Sequence, residues 1–226
     1  MSKKRTRIDE GCGCEFLCDA SYTGKLEIPR VKGMRNKTLP ELILPYSLRN
    51  KKRNPKKFIL LSEPDVDFND FLSHPKPYLR KLRGCAGIIT AEPALMRNTN
   101  LTAQIAYTYR SRELCLCLQN EGYNVIPHVC WGDERSYAAG TPYEQFVFLG
   151  LPKHSVVAVC TCGCPDTEQD ICRFKNGLAA MLRKLKPSAV LVFGDMSETV
   201  FAEFKHLTQF VPCSDWNCIL EAGDAA

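Results

Sequence analysis

The chain has 226 residues, of which 45% are hydrophobic and 24% charged, and its formal net charge is +5. This composition is typical of one large globular domain with room for an arm, and it excludes wholesale disorder. No apolar run reaches the roughly 18 residues of a membrane span, and the basic start, MSKKRTRIDE, lacks the apolar centre of a secretory signal. We therefore expect a cytoplasmic protein without a membrane partner.

The first feature along the chain is a group of thiols at Cys12, Cys14 and Cys18. Three thiolates this close can hold zinc or an iron–sulfur cluster if a fourth ligand comes from elsewhere, although the spacing matches neither a zinc-ribbon pair nor a radical S-adenosylmethionine motif. The alternative is a reduced tail. Most of the 13 cysteines are expected to be reduced core residues, because the sequence lacks an export signal.

Positive charge is concentrated in residues 25–57, which contain eleven Lys or Arg residues and two acids. This segment therefore carries +9, and the rest of the chain carries −4. Basic segments of this kind neutralise phosphates, so we predict that residues 25–57 bind nucleic acid; a solvated connection is the alternative. The predicted N-terminal arm as a whole comprises residues 1–56. The residues expected to contact phosphates are Lys51, Lys52, Arg53, Lys56 and Lys57.

From residue 58 onward, short apolar runs alternate with helical patterns. The runs predict strands buried on both faces, at residues 58–61, 87–91, 123–130, 155–160 and 189–193. The helical patterns lie at about residues 68–82, 101–120, 168–186 and 197–206. This order predicts parallel strands joined by right-handed crossovers, hence an α/β fold with a mostly parallel sheet, either open and doubly wound or a partial barrel. The predicted boundaries are 57–210 for this domain and 211–226 for a tail.

Polar residues follow the predicted strands, at the edge where the carboxyl ends of parallel strands meet and where ligands bind. The carboxylates that could divide acid and base work or hold a divalent cation are Glu92, Asp133, Glu134 and Asp195. The residues that could bind a ligand are Trp131, as a stacking face, Arg135, as a phosphate clamp, and Gly163 and Gly194, where a ligand could approach the backbone.

Each of these residues also has a structural interpretation. Asp133 could cap the turn that follows it, Arg135 could pair with Asp133, and Trp131 could plug the end of the sheet. His128 lies in the middle of a predicted strand and is interpreted as a satisfied core histidine.

Four stretches together resemble a known family, domain of unknown function 4417, over about residues 36–200. They are YRSR (109–112), IPHVCWGDERSY (126–137), GLPKHSVVAVCTCG (150–163) and LKPSAVLVFG (185–194). The family is associated with bacterial, phage and mobile-element genomes and has no assigned activity. The resemblance implies that Trp131, Asp133 and Gly163 belong to a shared motif. The two arginines of YRSR point in different directions on their helix, and Arg112 is favoured as the one that faces the cleft.

The sequence has neither a P-loop nor a Rossmann glycine motif, which disfavours nucleotide hydrolysis of the P-loop type and a dinucleotide cofactor. We predict a phage or mobile-element type of protein that binds or acts on a phosphorylated ligand, a nucleotide or a nucleic-acid strand, through acid/base or metal-assisted hydrolysis. The alternatives are a non-catalytic nucleic-acid-binding or replication accessory protein, and an inhibitor that sequesters a host factor. The sequence decides neither catalysis nor the oligomeric state.

Overall fold

A computed structural model describes residues 17, 19–34, 38–50, 54–61, 66–90, 99–161 and 167–213. It begins with a short antiparallel hairpin of β1 (Tyr22–Thr23) and β2 (Ile28–Pro29). Two parallel sheets follow. The first contains β3 (Leu42–Pro45), β4 (Lys57–Leu60), β5 (Gly87–Ile89) and β6 (Asn124–Ile126). The second contains β7 (Val156–Cys160), β8 (Ala189–Phe193) and β9 (Gln209–Cys213).

Helices connect the strands. They are α1 (Phe68–Ser73), α2 (Pro75–Lys81), α3 (Leu101–Asn120), α4 (Glu134–Tyr137), α5 (Glu168–Leu185) and α6 (Glu198–Phe201). Two 3-10 turns lie at Phe146–Phe148 and Ala202–Phe204. Within the described part of the chain, no helix is both long enough and apolar enough to cross a bilayer.

The two sheets form one curved layer in which spatial order follows chain order. A parallel bridge between His128 and Ala158 joins the extension of β6 to β7. One face of this layer packs against helices α1, α2 and α3 in its first half and against α5 and α6 in its second half. The other face encloses a core to which all seven of these parallel strands contribute. The fold is therefore α/β as predicted, and the partial-barrel alternative describes it.

Alternation along the strands separates the two faces. Ile59, Ile88 and Val125 point outward to the helices. Their neighbours along the strands point into the barrel, so β4, β5 and β6 are buried on both sides, as the continuous Val/Ile/Leu runs predicted. The inward residues are Phe58, Leu60, Ile89, Ile126, Val156, Ala158, Ala189, Leu191 and Phe193.

Several elements differ from the sequence prediction. The helix predicted at 68–82 is two helices that meet at His74, because a residue before proline disfavours helical geometry and Pro75 follows. Strand β3 lies inside the segment predicted as an arm, and β9 extends past residue 210. Helix α5 matches its prediction closely: the Thr167 hydroxyl accepts a bond from the Asp170 N–H at its start, and Pro187 follows its end.

Candidate functional site

Asp133 organises the loop that follows β6. Its side chain caps α4 by accepting a bond from the Arg135 backbone N–H at 2.9 Å. The Arg135 guanidinium donates to both carboxylate oxygens, at 2.9 and 2.6 Å, and the Gln104 amide donates at 3.1 Å. These donors, the Arg135 side chain first, lower the pKa of Asp133. The cap and the pair with Arg135 are therefore confirmed, and a carboxylate held in this way is a weak proton acceptor.

Trp131 lies between the barrel and helix α5. Its ring is 5.1 Å from the ring of Phe174, and it covers Gly177, where an added Cβ would lie only 2.1 Å from the indole Nε1. The indole is half-buried in this contact. This position agrees with a residue that closes the end of the sheet, whereas a role in stacking on a ligand stays a prediction.

The other residues predicted at the carboxyl edge are placed separately. Glu134 is exposed in the first turn of α4, and Asp195 is exposed directly after β8. Gly194 has a φ of +87°, which glycine adopts readily. The Thr161 hydroxyl donates to the Asp195 carbonyl at 2.8 Å, which ties the end of β7 to the end of β8. Glu92 and Gly163 lie outside the described residues.

Arg112 is fully buried on α3. Its guanidinium donates to the carbonyls of Val147 and Leu149 and to the Ser111 hydroxyl. These bonds fix the 3-10 turn at Phe146–Phe148 against α3. A ligand at Arg112 would have to compete with them, so the geometry gives this side chain a structural task.

His128 combines burial with missing hydrogen bonds. Only 4% of its surface is exposed, and neither ring nitrogen has a partner among the described residues. Burial lowers its pKa to about 4, so the ring is neutral at pH 7. The interpretation as a core histidine is confirmed for its burial, while its hydrogen bonding is not satisfied by any described residue.

Metal ligands are not assembled in the described residues, which contain no group of three or more His, Cys, Asp or Glu that could hold an ion. The thiols predicted as ligands, Cys12, Cys14 and Cys18, lie outside these residues. Two of the cysteines that the structure does describe, Cys115 and Cys117, are buried in the core.

A second surface lies at the opposite, amino edge of the sheet. An open cleft of about 490 Å³ is lined by the first residue of β4 and by residues that precede β4 and β5. The lining residues are Asn50, Asn54, Pro55, Lys57, Arg83 and Gly84. Lys57 begins β4, and its carbonyl accepts the Ala86 N–H at 2.8 Å, so the loops before β4 and β5 are neighbours. We call this surface the amino-edge cleft.

Two basic segments border the amino-edge cleft. The first is the end of the predicted arm: Lys57 lines the cleft and donates to the Arg49 carbonyl, while exposed Lys56 pairs with Glu41 at 2.8 Å. Lys51, Lys52 and Arg53 lie outside the described residues, between two cleft-lining asparagines. The second segment comprises Arg83, which lines the cleft, and Arg80 and Lys81 in the last turn of α2. All three are exposed, and none forms an ion pair with a described carboxylate.

The second basic segment was missed in the sequence. Its signal is a stretch, residues 71–91, that contains four Lys or Arg residues and no acid. It was not connected with the arm because the two segments lie about 25 residues apart in the sequence. They become neighbours only when β4 and β5 pair. Of the two basic segments, the sequence therefore predicted only the first.

Comparison with known proteins gives a family and phage relatives. A family model described as "Domain of unknown function (DUF4417)" matches residues 20–211, which extends the resemblance at both ends. The gene 1 protein of Mycobacterium phage L5 is 28% identical over 132 residues, 58% of this chain and 55% of the relative. The gene 1 protein of Mycobacterium phage D29 is 26% identical over 130 residues, 58% of this chain and 46% of the relative. The chain thus spans about half the length of these relatives, and no solved structure matches.

Proposed function

Because the chain belongs to the family domain of unknown function 4417, whose description assigns no activity, we propose a function from its charged surfaces: the amino-edge cleft binds the phosphate backbone of a nucleic acid. The observation that carries this proposal is that Lys57, from the first basic segment, and Arg83, from the second, line one open cleft. Phosphate contacts supply most of the affinity of nonspecific nucleic-acid binding, so clustered cations are its expected signature.

The composition of the cleft suits a backbone more than a base. Lys57 and Arg83 supply positive charge, and Asn50 and Asn54 supply amide donors. Neutral donors of this kind also contact phosphate oxygens and help to fix register. Because these residues line the cleft at the amino ends of β-strands, the bound nucleic acid would run along the edge of the sheet. Binding without sequence preference follows from such contacts.

The exposed cations of the second segment give the sharpest test. Arg80, Lys81 and Arg83 are exposed and form no ion pair with a described carboxylate, so replacing all three with Gln should leave the fold intact. Each phosphate contact contributes about 0.9 to the slope of log K against log salt for duplex DNA, or about 0.7 for a single strand. The slope of the triple variant should therefore fall by about 2 to 3, with the affinity falling most at low salt.

A matched control keeps the charge loss and changes its place. Lys153, Arg183 and Lys184 are exposed on the half of the barrel formed by β7 and β8. Replacing these three with Gln removes the same charge and should leave the affinity and slope near those of the unmodified protein. Equal losses in both variants would mean that net charge alone drives association, and an unchanged slope in the first variant would remove the cleft from the proposal.

A second candidate function places a nucleotide at the carboxyl edge. This candidate is favoured because Asp133, Glu134 and Asp195 follow β6 and β8, two parallel strands that end at the same edge of the sheet. The three do not assemble as ligands of a cation, so in this candidate they would divide acid and base work with Glu92. Nucleotide hydrolysis measured with and without Mg²⁺ tests this candidate. Glu134→Gln removes one of these carboxylates and should abolish that hydrolysis. Because Glu134 is exposed, the substitution should leave the fold intact.

A further inference from the structure

The residues that line the amino-edge cleft differ in how deeply they lie. Two of them, Asn54 and Lys57, are half-buried. They belong to one turn, in which the Lys57 N–H donates to the Asn54 carbonyl at 3.2 Å. This turn therefore forms the inner wall of the cleft. The rim consists of the four exposed lining residues, Asn50, Pro55, Arg83 and Gly84.

The inner wall presents hydrogen-bond donors. The side-chain oxygen of Asn54 accepts the Lys56 backbone N–H at 2.8 Å, so the NH₂ group is the half of this amide that a ligand can use. The Lys57 ammonium donates to the Arg49 carbonyl. Because that carbonyl is neutral, the contact places the ammonium without cancelling its charge. Donors of this kind suit the oxygens of a phosphate.

Other charged groups of the first basic segment are engaged outside the cleft. The Arg49 guanidinium lies 4.4 Å from the centre of the Tyr46 ring and donates to the Tyr46 carbonyl at 2.8 Å. Lys56 pairs with Glu41 and is not a lining residue. No carboxylate belongs to the described lining of the cleft. Lys57 is therefore the cation of its inner wall.

The depth of Lys57 distinguishes a single strand from a duplex. A duplex holds its phosphates on the outside of a stiff cylinder, with a persistence length of about 150 base pairs, so it contacts cations that project from a surface. A single strand bends readily, and its backbone can follow a positively charged groove. The volume of the cleft, about 490 Å³, is that of a small-molecule site. It therefore admits a short stretch of one backbone and excludes the width of a duplex.

We propose that the amino-edge cleft selects single-stranded nucleic acid over duplex, and that Lys57 makes this distinction. The inference rests on the proposed function, since it names the form of nucleic acid that the same cleft takes. A phosphate of the single strand enters the cleft and meets the Lys57 ammonium and the Asn54 amide. The phosphates of a duplex reach only the exposed cations, such as Arg83 at the rim and Arg80 and Lys81 on α2.

The test compares the affinity of the full chain for one DNA strand without self-complementarity and for the duplex that this strand forms with its complement, at the same salt concentration. The single strand should bind about 10-fold more tightly, which is the effect of one charged hydrogen bond. Lys57→Gln should weaken single-strand binding about 10-fold and duplex binding little, so the preference disappears. Lys56→Gln is the matched control, because it removes the same charge from a neighbouring residue outside the lining and should keep the preference.

Two results would overturn the proposal. They are duplex binding by the unmodified protein that equals or exceeds single-strand binding, and a preference for the single strand that survives in a folded Lys57→Gln variant. If Lys57→Gln does not fold, the comparison of the two forms by the unmodified protein decides the matter. Failure here is distinguishable from failure of the proposed function. If the cleft binds nucleic acid at all, the variant at Arg80, Lys81 and Arg83 loses affinity for whichever form is bound.

Discussion

The contact between Trp131 and Gly177 predicts an unusual effect of adding one methyl group. Alanine in place of glycine inside a helix ordinarily stabilises a protein by about 1 kcal/mol. In helix α5, however, a Cβ at residue 177 would lie 2.1 Å from the indole Nε1 and 2.4 Å from two indole carbons. Contacts this short cannot persist, so the indole or the helix must move.

Little room exists for that movement. The indole of Trp131 packs against Phe174, which lies on α5 like Gly177. Displacing the indole would open the packing between the barrel and α5. Overpacking of this kind costs about 1–3 kcal/mol, which exceeds the gain in helix propensity. We therefore expect Gly177→Ala to lower the free energy of unfolding by about 1 kcal/mol, measured by urea denaturation.

The same substitution in a Trp131→Ala variant separates helix propensity from the clash with the indole. Because the indole is absent from that variant, Gly177→Ala should raise its free energy of unfolding by up to about 1 kcal/mol. The change of sign would give a coupling energy of about 2 kcal/mol between the two positions. If Gly177→Ala stabilises the protein that retains Trp131, the indole does not occupy this position and the reasoning is refuted.

Three further predictions concern single groups. Asp133→Asn keeps a good capping residue, so it should cost less than the about 0.5–2 kcal/mol of a lost cap; in a denaturation series run beside a nucleotide-binding assay, intact stability with binding lost would instead favour a ligand role. The pKa of His128 is about 4 when folded and about 6.5 when unfolded, so its contribution to stability is complete above pH 6.5 and is lost as the pH falls toward 4, by about 3 kcal/mol. His128→Phe should flatten the pH dependence of unfolding in that window, and an unchanged profile would show that the ring is not buried. The cysteines at 12, 14 and 18 should bind one zinc or an iron–sulfur cluster in anaerobically purified protein, and elemental analysis with visible absorbance that finds neither would leave them a reduced tail.

The central strands and long helices were predictable because each has a local pattern. Short apolar runs mark β4 through β8 wherever both faces of a strand are buried, and the spacing of Phe174, Leu178 and Leu185 marks α5. Strand β3 was missed because its four residues, Leu42–Pro45, lie within a basic segment. Strand β9 was missed because it is only half-buried and contains Pro212, which suits an edge strand.

The site was less predictable because its contacts join distant parts of the chain. The edge of the sheet follows from strand order, so the positions of Asp133 and Asp195 could be deduced. That Gln104 would donate to Asp133, or that Gly177 would receive Trp131, depends on how helices pack on the barrel, which no local spacing encodes. Arg83 likewise joins the basic arm only through the pairing of β4 with β5.

Mapping the contact itself tests the central claim most directly. A photoreactive single-stranded oligonucleotide, cross-linked to the full chain and followed by peptide mass spectrometry, reports which residues touch the nucleic acid. The account predicts cross-links in both segments that border the amino-edge cleft, residues 49–57 and 80–84, and their loss as salt is raised. Cross-links confined to the carboxyl edge around Asp133 and Asp195, with none in those two segments, would contradict it.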